Sequence, residues 1–228
     1  MTKEIGKAGI DLLFKMYDEN DENAFINHHT AGLIIEFIGG EPFMNIDVIS
    51  YISDYFMDQL IERNHPWLDS FRFSIASNGL LYFDEKVQKY IHKYKNFLAL
   101  TISVDGPKEL HDACRIDHDG NGSFDRSIKA WDANRALLGI ADTKITFAPE
   151  NLPYMSEIFD FFIKRGAQMI YANPIYEHDW TTDEANFYYN KLIELADTLL
   201  LTLRTTQATV TSSLFDETIG KPITLAND

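Results

Sequence analysis

The sequence predicts an α/β protein built on a parallel sheet, on three observations. Short apolar runs alternate with amphipathic segments of roughly 10–20 residues, the spacing of βαβ units. Nearly every apolar run ends in a cluster of Gly, Pro, Asn, Asp or Ser, the punctuation of strand ends. The periodic segments number five strands and six helices, and the first of them is a helix. A closed barrel of this class has eight strands, so five leave an open doubly wound sheet or an incomplete barrel.

Ile5, Ile10, Leu13 and Phe14 recur at helical spacing over about residues 2–18. The polar loop DENDENAFINHHTAG then leads to a strand over 33–38. Ile46, Ile49, Ile52, Phe56 and Leu60 define a second helix to about Asn64, closed by His65-Pro66. A strand over 71–76 ends in Ser77-Asn78-Gly79, and Asp84 supplies the N-cap of a helix through about Tyr94. The third strand, 97–104, ends in Asp105-Gly106-Pro107. A helix over 123–138 precedes a strand over 144–148, and Pro153 opens a helix over 154–165 that Gly166 ends. The fifth strand covers 168–172 and the last helix 182–203; from Thr205 the chain reads as polar and irregular. No internal repeat, low-complexity segment or linker divides it, so one domain over 1–204 with an irregular tail over 205–228 is expected.

The 228 residues carry 20 Lys and Arg against 35 Asp and Glu, a net charge of −15, which argues against a nucleic-acid partner. The 45% hydrophobic content is that of a folded domain. No apolar run reaches the ~18 residues of a membrane span and the N-terminus has no signal-peptide pattern, so a cytoplasmic chain without a membrane partner is expected. The single cysteine, Cys114, excludes an internal disulfide and a zinc site of several cysteines. It is expected to be a small half-buried residue.

Ligands of parallel α/β folds sit at the C-terminal ends of the strands. Those ends are Gly39-Gly40-Glu41-Pro42, Ser77-Asn78-Gly79, Ser103-Val104-Asp105-Gly106-Pro107, Ala148-Pro149-Glu150-Asn151 and Ala172-Asn173-Pro174. Each combines small residues with a carboxylate, an amide or a hydroxyl, so a polar small-molecule site is expected there.

The stretches IIEFIGGEPFMN, FSIASNGLL and LALTISVDGPKELHDACR resemble, in order and spacing, the core of radical S-adenosylmethionine enzymes. The branch they resemble is that of peptide and protein maturases, which includes anaerobic sulfatase maturases and thioether-forming enzymes. GSFDRSIKAW and ITFAPENLPYMSEIFDFF extend the resemblance, which covers roughly residues 3–215. It implies an incomplete parallel (β/α) partial barrel. It implies that Gly39, Gly40, Glu41 and Pro42 form the motif that meets the methionyl amino group of S-adenosylmethionine through backbone carbonyls and the carboxylate. It further implies a cofactor hydrogen bond from Ser103, a fork from Arg115 to the cofactor carboxylate, and a less defined role for Asn78. His111 matches a family histidine and is read as structural.

The same resemblance implies a four-iron four-sulfur cluster held by three thiolates of a CxxxCxxC loop after the first strand. This sequence contains no such motif, and Cys114 lies after the third strand, away from that loop. The order of elements is that of the family core without its first strand and cluster loop. SLFDETIGKPITLAND resembles the lead into a cysteine-rich C-terminal domain. The chain is therefore expected to be the middle of a longer enzyme that modifies a ribosomal peptide or protein by 5′-deoxyadenosyl-radical hydrogen abstraction, forming a thioether or oxidising a side chain. On its own it is expected to be inactive, and to dimerise through the exposed edge of its first strand. The alternative is a cluster-free relative that binds peptides without catalysis.

Two metal readings carry less. Asp117, Asp119, Asn121 and Gly122 match the start of a calcium loop, but Ile128 stands where the bidentate Glu belongs, so a solvated turn is expected. The adjacent His28 and His29 cannot both face one ion from a regular element and read as a surface pair.

Overall fold

The computed structural model describes residues 1–17, 24, 26–27, 32–206 and 210–215. His28, His29 and the tail beyond Phe215 lie outside the described residues. Helices α1 (Lys3–Met16), α2 (Ile46–Glu62), α3 (Glu85–Tyr94), α4 (Lys108–Cys114), α5 (Phe124–Leu138), α6 (Met155–Lys164) and α7 (Thr182–Thr206) alternate with strands β1 (Leu33–Phe37), β2 (Phe71–Ser77), β3 (Leu98–Ser103), β4 (Asp142–Phe147), β5 (Met169–Pro174) and β6 (Thr211–Ser212). The strand order follows the chain from β1 to β6, and the pairs β1–β2, β3–β4, β4–β5 and β5–β6 are parallel. The α/β class and the parallel sheet are as expected.

The element count is corrected in two places. Lys108–Cys114 is a short helix where a loop was expected, and the supposedly irregular tail contributes the two-residue strand β6 beside β5. Neither is long enough to display a hydrophobic period. β6 is fixed instead by Thr211 N–H donating to the Gln168 carbonyl at 2.9 Å. The expected N-cap of α3 is present, with Asp84 accepting from the N–H groups of Lys86 and Val87.

The chain divides into two compact units, Met1–Leu100 and Thr101–Asp228. The first is held by an aromatic core in which Phe56, Phe71, Phe73 and Tyr94 meet edge to face. Aromatic edges and faces carry opposite partial charge, so such contacts add to the burial of apolar area. Helix α1 docks on α2 through Gly6, where a β-carbon would fall 2.2 Å from Ile52 Cδ1. In the second unit Trp131, Phe147, Phe159, Phe162 and Ile170 are buried between the strands and helices α5 and α6.

Parallel sheets are usually covered on both faces and read as continuous apolar runs. These strands alternate. In the first unit Phe71, Phe73 and Ile75 are buried, while Arg72 is exposed and Ser74 and Ala76 are half-buried between them. On the neighbouring strand Ile34 is 68% exposed and Glu36 is exposed. In the second unit Thr143, Ile145 and Phe147 are buried and Lys144 and Thr146 exposed. In both units one sheet face is packed and the other is more exposed, with small or polar residues at most of its positions.

The loop after β3 depends on Gly106. Its φ of +133° suits only glycine, and a β-carbon there would fall 2.8 Å from Ile158 Cγ1 on α6. Gly106→Ala is expected to cost about 3 kcal/mol, the sum of backbone strain and overpacking. Urea denaturation would measure it, and a loss under ~1 kcal/mol would show that the loop relaxes freely.

Candidate functional site

In the first unit β1 runs out through Gly39 and Gly40 to Glu41, whose backbone is extended before a 3-10 turn over Pro42–Asn45. Pro42 opens that turn because its missing N–H would have no partner there. The Glu41 carboxylate accepts three hydrogen bonds. Oε1 accepts from the Phe43 N–H at 3.0 Å and the Ser77 hydroxyl at 2.9 Å, and Oε2 from the Asn78 N–H at 2.8 Å. Ser77, 1% exposed, also accepts from the Gly79 N–H at 3.0 Å. The Asn78 amide oxygen accepts from the Leu80 N–H at 2.9 Å. One carboxylate therefore stitches the Gly39–Pro42 turn to the Ser77–Gly79 turn.

Carboxylate oxygens accept about two hydrogen bonds each, so Oε2 retains an acceptor position. Gly39 and Gly40 are both exposed, and neither has a positive φ. Among the described residues nothing lies within 4 Å of a β-carbon built on either. Neither internal packing nor backbone conformation demands glycine at these two positions.

The second unit carries a closed ring of hydrogen bonds. The Asp105 N–H donates to His111 Nδ1 at 3.2 Å, and His111 Nε2 meets the Ser123 hydroxyl at 2.9 Å. That hydroxyl donates to the Arg115 carbonyl at 3.0 Å. Arg115 in turn donates through Nε to Asp105 Oδ2 and through Nη2 to Oδ1 at 3.3 Å. Since the Ser123 proton goes to Arg115, His111 donates from Nε2 and accepts at Nδ1, the neutral tautomer. Burial is the main cause that lowers the His111 pKa from its ordinary value. His111 is fully buried and structural in its contacts.

The Arg115 guanidinium is thus anchored to Asp105, whose side chain is 7% exposed. Asp105 takes the Nε and Nη2 edge, and Nη1 has no partner among the described residues. Ser103 ends β3 beside Lys144 of β4, and its hydroxyl makes no hydrogen bond among the described residues. The next strand end is closed locally: Asn151 accepts from the Ala148 N–H at 2.8 Å and donates to the Thr146 carbonyl.

Several expectations resolve differently. Cys114 is exposed, not half-buried, because α4 turns it outward. The Asp117–Gly122 stretch is a hairpin turn: Asp117 Oδ1 accepts from the N–H groups of Asp119 and Asn121, Oδ2 accepts from Arg126, and Ile116 bridges Gly122. Its carboxylate is committed to the turn. Sequence reasoning missed the roles of Asp105 and Ser123 and the open-face residues Lys144, Thr146 and Tyr171. It also missed the loop after β5, where Thr181 and Glu184 form a reciprocal capping box and His178 Nε2 meets Glu184 at 3.2 Å. The Thr-x-x-Glu spacing was a readable signal for that box.

The strand ends of the first unit present a glycine-flanked carboxylate, and those of the second a serine and an anchored arginine. The chain is 25% identical over 184 residues to the radical SAM cyclopropyl synthase TigE of Paramaledivibacter caminithermalis, covering 78% of this chain and 36% of that protein. It is 27% identical over 136 residues to an uncharacterized protein of Methanocaldococcus jannaschii, covering 60% of this chain and 44% of the relative. Native anSMEcpe with bound AdoMet has the same fold, with a TM-score of 0.73, 17% identity, and coverage of 95% of this chain and 55% of that one. The form with AdoMet and the Cp18Cys peptide gives a TM-score of 0.72 at 18% identity, with coverage of 95% and 56%. No family model matches the chain. The resemblance to radical S-adenosylmethionine enzymes is borne out by the TigE relative, and the fold by the anSMEcpe structures. The chain spans under half the length of the curated relatives it matches and just over half of the solved chains. No helix among the described residues is long and apolar enough to cross a membrane.

The Glu41 contacts give a first expectation for this site. Glu41→Ala is expected to destabilise the first unit by about 2–3 kcal/mol, since it strands donors that now meet a charged acceptor, while Ser77→Ala costs about 1 kcal/mol. Thermal melts of both variants check this, and an unchanged Glu41→Ala melt would show that the turns stand without the carboxylate. A second expectation follows from His111. Its folded pKa lies below the ordinary 6.5, so the stability tied to its neutral form is whole above pH 6.5 and is lost as pH falls through the lowered value. His111→Asn is expected to flatten the stability decline below pH 6.5 relative to the parent, and equal slopes would remove His111 as its source.

Proposed function

We propose that this chain is the central part of a radical S-adenosylmethionine enzyme that acts on a ribosomal peptide or protein, and that its strand-end residues serve the methionyl end of S-adenosylmethionine. The observation that carries the reading is the spare hydrogen-bonding capacity at the strand ends of each unit, taken separately. The first unit's strand ends offer acceptors: Glu41 Oε2, plus the backbone of exposed Gly39 and Gly40, which a ligand can approach closely. The second unit's offer donors: the Ser103 hydroxyl and the outer edge of the Arg115 guanidinium. Taken by itself, the first unit's set suits an ammonium, which needs acceptors, and the second unit's set suits a carboxylate, which needs donors. Asn78 contributes through its backbone N–H, which orients Glu41, and Pro42 sets the direction of the turn.

The cluster fits less well. A four-iron four-sulfur cluster of this family takes three thiolates, and the chain has one cysteine, the exposed Cys114. No step is therefore assigned to a cluster on these residues. The hydrogen abstraction of the whole enzyme, and the thioether or oxidised side chain it leaves, requires thiolates that this sequence does not supply. The peptide branch is supported by the likeness to anSMEcpe, one structure of which holds the Cp18Cys peptide.

Two outcomes follow for the chain as it stands. It binds S-adenosylmethionine weakly, because chelation of the methionyl end by iron is worth several tenfold steps of about 1.4 kcal/mol each. Given iron, sulfide, dithionite and S-adenosylmethionine under anaerobic conditions, it forms no catalytic 5′-deoxyadenosine. Multiple turnovers, read by chromatography, would overturn this reading, since one cysteine would be serving for three.

A further inference from the structure

The ring in the second unit places side chains around Arg115 that the proposed function does not use. We infer that His111 and Ser123 are positioning residues for Arg115, and that the ring they close with Asp105 holds the outer edge of the guanidinium ready for the carboxylate of an amino-acid-like ligand. The inference rests on the reading of Arg115 as part of the S-adenosylmethionine site.

Four features carry it. First, the ring has one consistent proton arrangement. Ser123 is committed as donor to the Arg115 carbonyl, so it accepts from His111, and His111 in turn accepts from the Asp105 N–H. Second, the ring is tied twice to the backbone around Arg115. The Arg115 N–H donates to the His111 carbonyl at 2.8 Å, and the Ser123 N–H to the Arg115 carbonyl at 3.1 Å. Third, Asp105 fixes the guanidinium plane by its inner edge, while the Arg115 side chain remains 32% exposed. A planar fork already held at one edge gives up little further freedom when its other edge meets a carboxylate. Fourth, Asp105 is itself held through its N–H by His111, so the anchor of the arginine depends on the imidazole.

The same geometry makes the site sensitive to protonation. A proton on His111 Nδ1 would face the Asp105 N–H, two donors in one contact, and the ring would open. The charged groups around the imidazole are Asp105 and Arg115 of the ring and Asp112 and Lys108 of α4. The two carboxylates favour the charged form, the two cations oppose it, and burial opposes it most. At the start of α5 the imidazole meets the N-cap residue Ser123 and lies at a steep angle to the Phe124 ring. Ligand affinity therefore falls as pH drops below the neutral range.

The test uses the 228-residue chain and nitrogen-15 NMR of the Arg115 Nε–H, with S-adenosylmethionine as the titrated probe. In the parent the Nε–H is protected from exchange, and affinity is whole above pH 6.5 and drops as pH falls below it and the neutral tautomer is lost. Ser123→Ala and His111→Asn are expected to lose that protection and to bind about tenfold more weakly at pH 7, a change of ~1.4 kcal/mol. Ser123→Thr, which keeps the hydroxyl, retains both, and His111→Asn abolishes the pH dependence. A protected Nε–H and parent affinity in both His111→Asn and Ser123→Ala would overturn the positioning inference alone. Parent affinity in Arg115→Ala would overturn the cofactor reading, and with it the inference built on it.

Discussion

A buried carboxylate sets the terms for the second unit. Asp105 is 5% exposed, and a charge withdrawn from water to that degree is tolerated only when paired and hydrogen-bonded. Its position follows from Gly106, whose positive φ turns the chain sharply after β3 and brings the backbone against Ile158. With the turn fixed, the carboxylate has to find its cation in what comes next, and the short helix α4 delivers Arg115 ten residues on. The helix, the His111 tautomer, the Ser123 rotor and the direction of the guanidinium all follow from satisfying that one group.

Glu41 solves a different problem in the first unit. It is half-buried, meets no cation among the described residues, and is satisfied by donors: two backbone N–H groups and a buried hydroxyl. Charge-assisted hydrogen bonds of this kind are stronger than neutral ones. They leave the carboxylate's net charge without an ion pair among the described residues, so an approaching cation would still find it attractive. Arg115 is the converse, a cation whose charge is met on one edge only. Both residues are built into the scaffold first and keep a remainder of bonding capacity. A strand end built this way is rigid and still offers an open acceptor or donor.

The sequence made the regular elements legible because they depend on local periodicity. Ile46, Ile49, Ile52, Phe56 and Leu60 lie along one helix face whatever the tertiary context, and Asp84 caps α3 by a contact two to three residues long. What was not legible depends on distant partners. β6 exists because Thr211 finds Gln168, 43 residues away, and no propensity in Thr-Ser announces it. The candidate residues were found as strand ends and by resemblance, but their contacts were not. Nothing in the sequence says that Ser77 reaches back 36 residues to Glu41, or that the Arg115 fork is shared with Asp105. The exposure of Cys114 was missed because residue type is a poor guide to which side of a seven-residue helix faces out.

The alternation within the strands carries the last step. Fully covered parallel strands would read as unbroken apolar runs, yet Phe71–Ser77 and Asp142–Phe147 place a small or polar residue at every second position. In the second unit that choice puts Ser103, Lys144 and Tyr171 side by side on the open face, in register across three strands. An open polar face sacrifices the apolar burial that a second helical layer would provide, about 25 cal/mol for each Å² left uncovered. A sheet that forgoes this stabilisation presents side chains where a covering helix would have hidden them, and those side chains adjoin the strand ends that carry the candidate cofactor residues. The pattern of small and polar residues at alternate strand positions, more than any one motif, is what leaves this face uncovered.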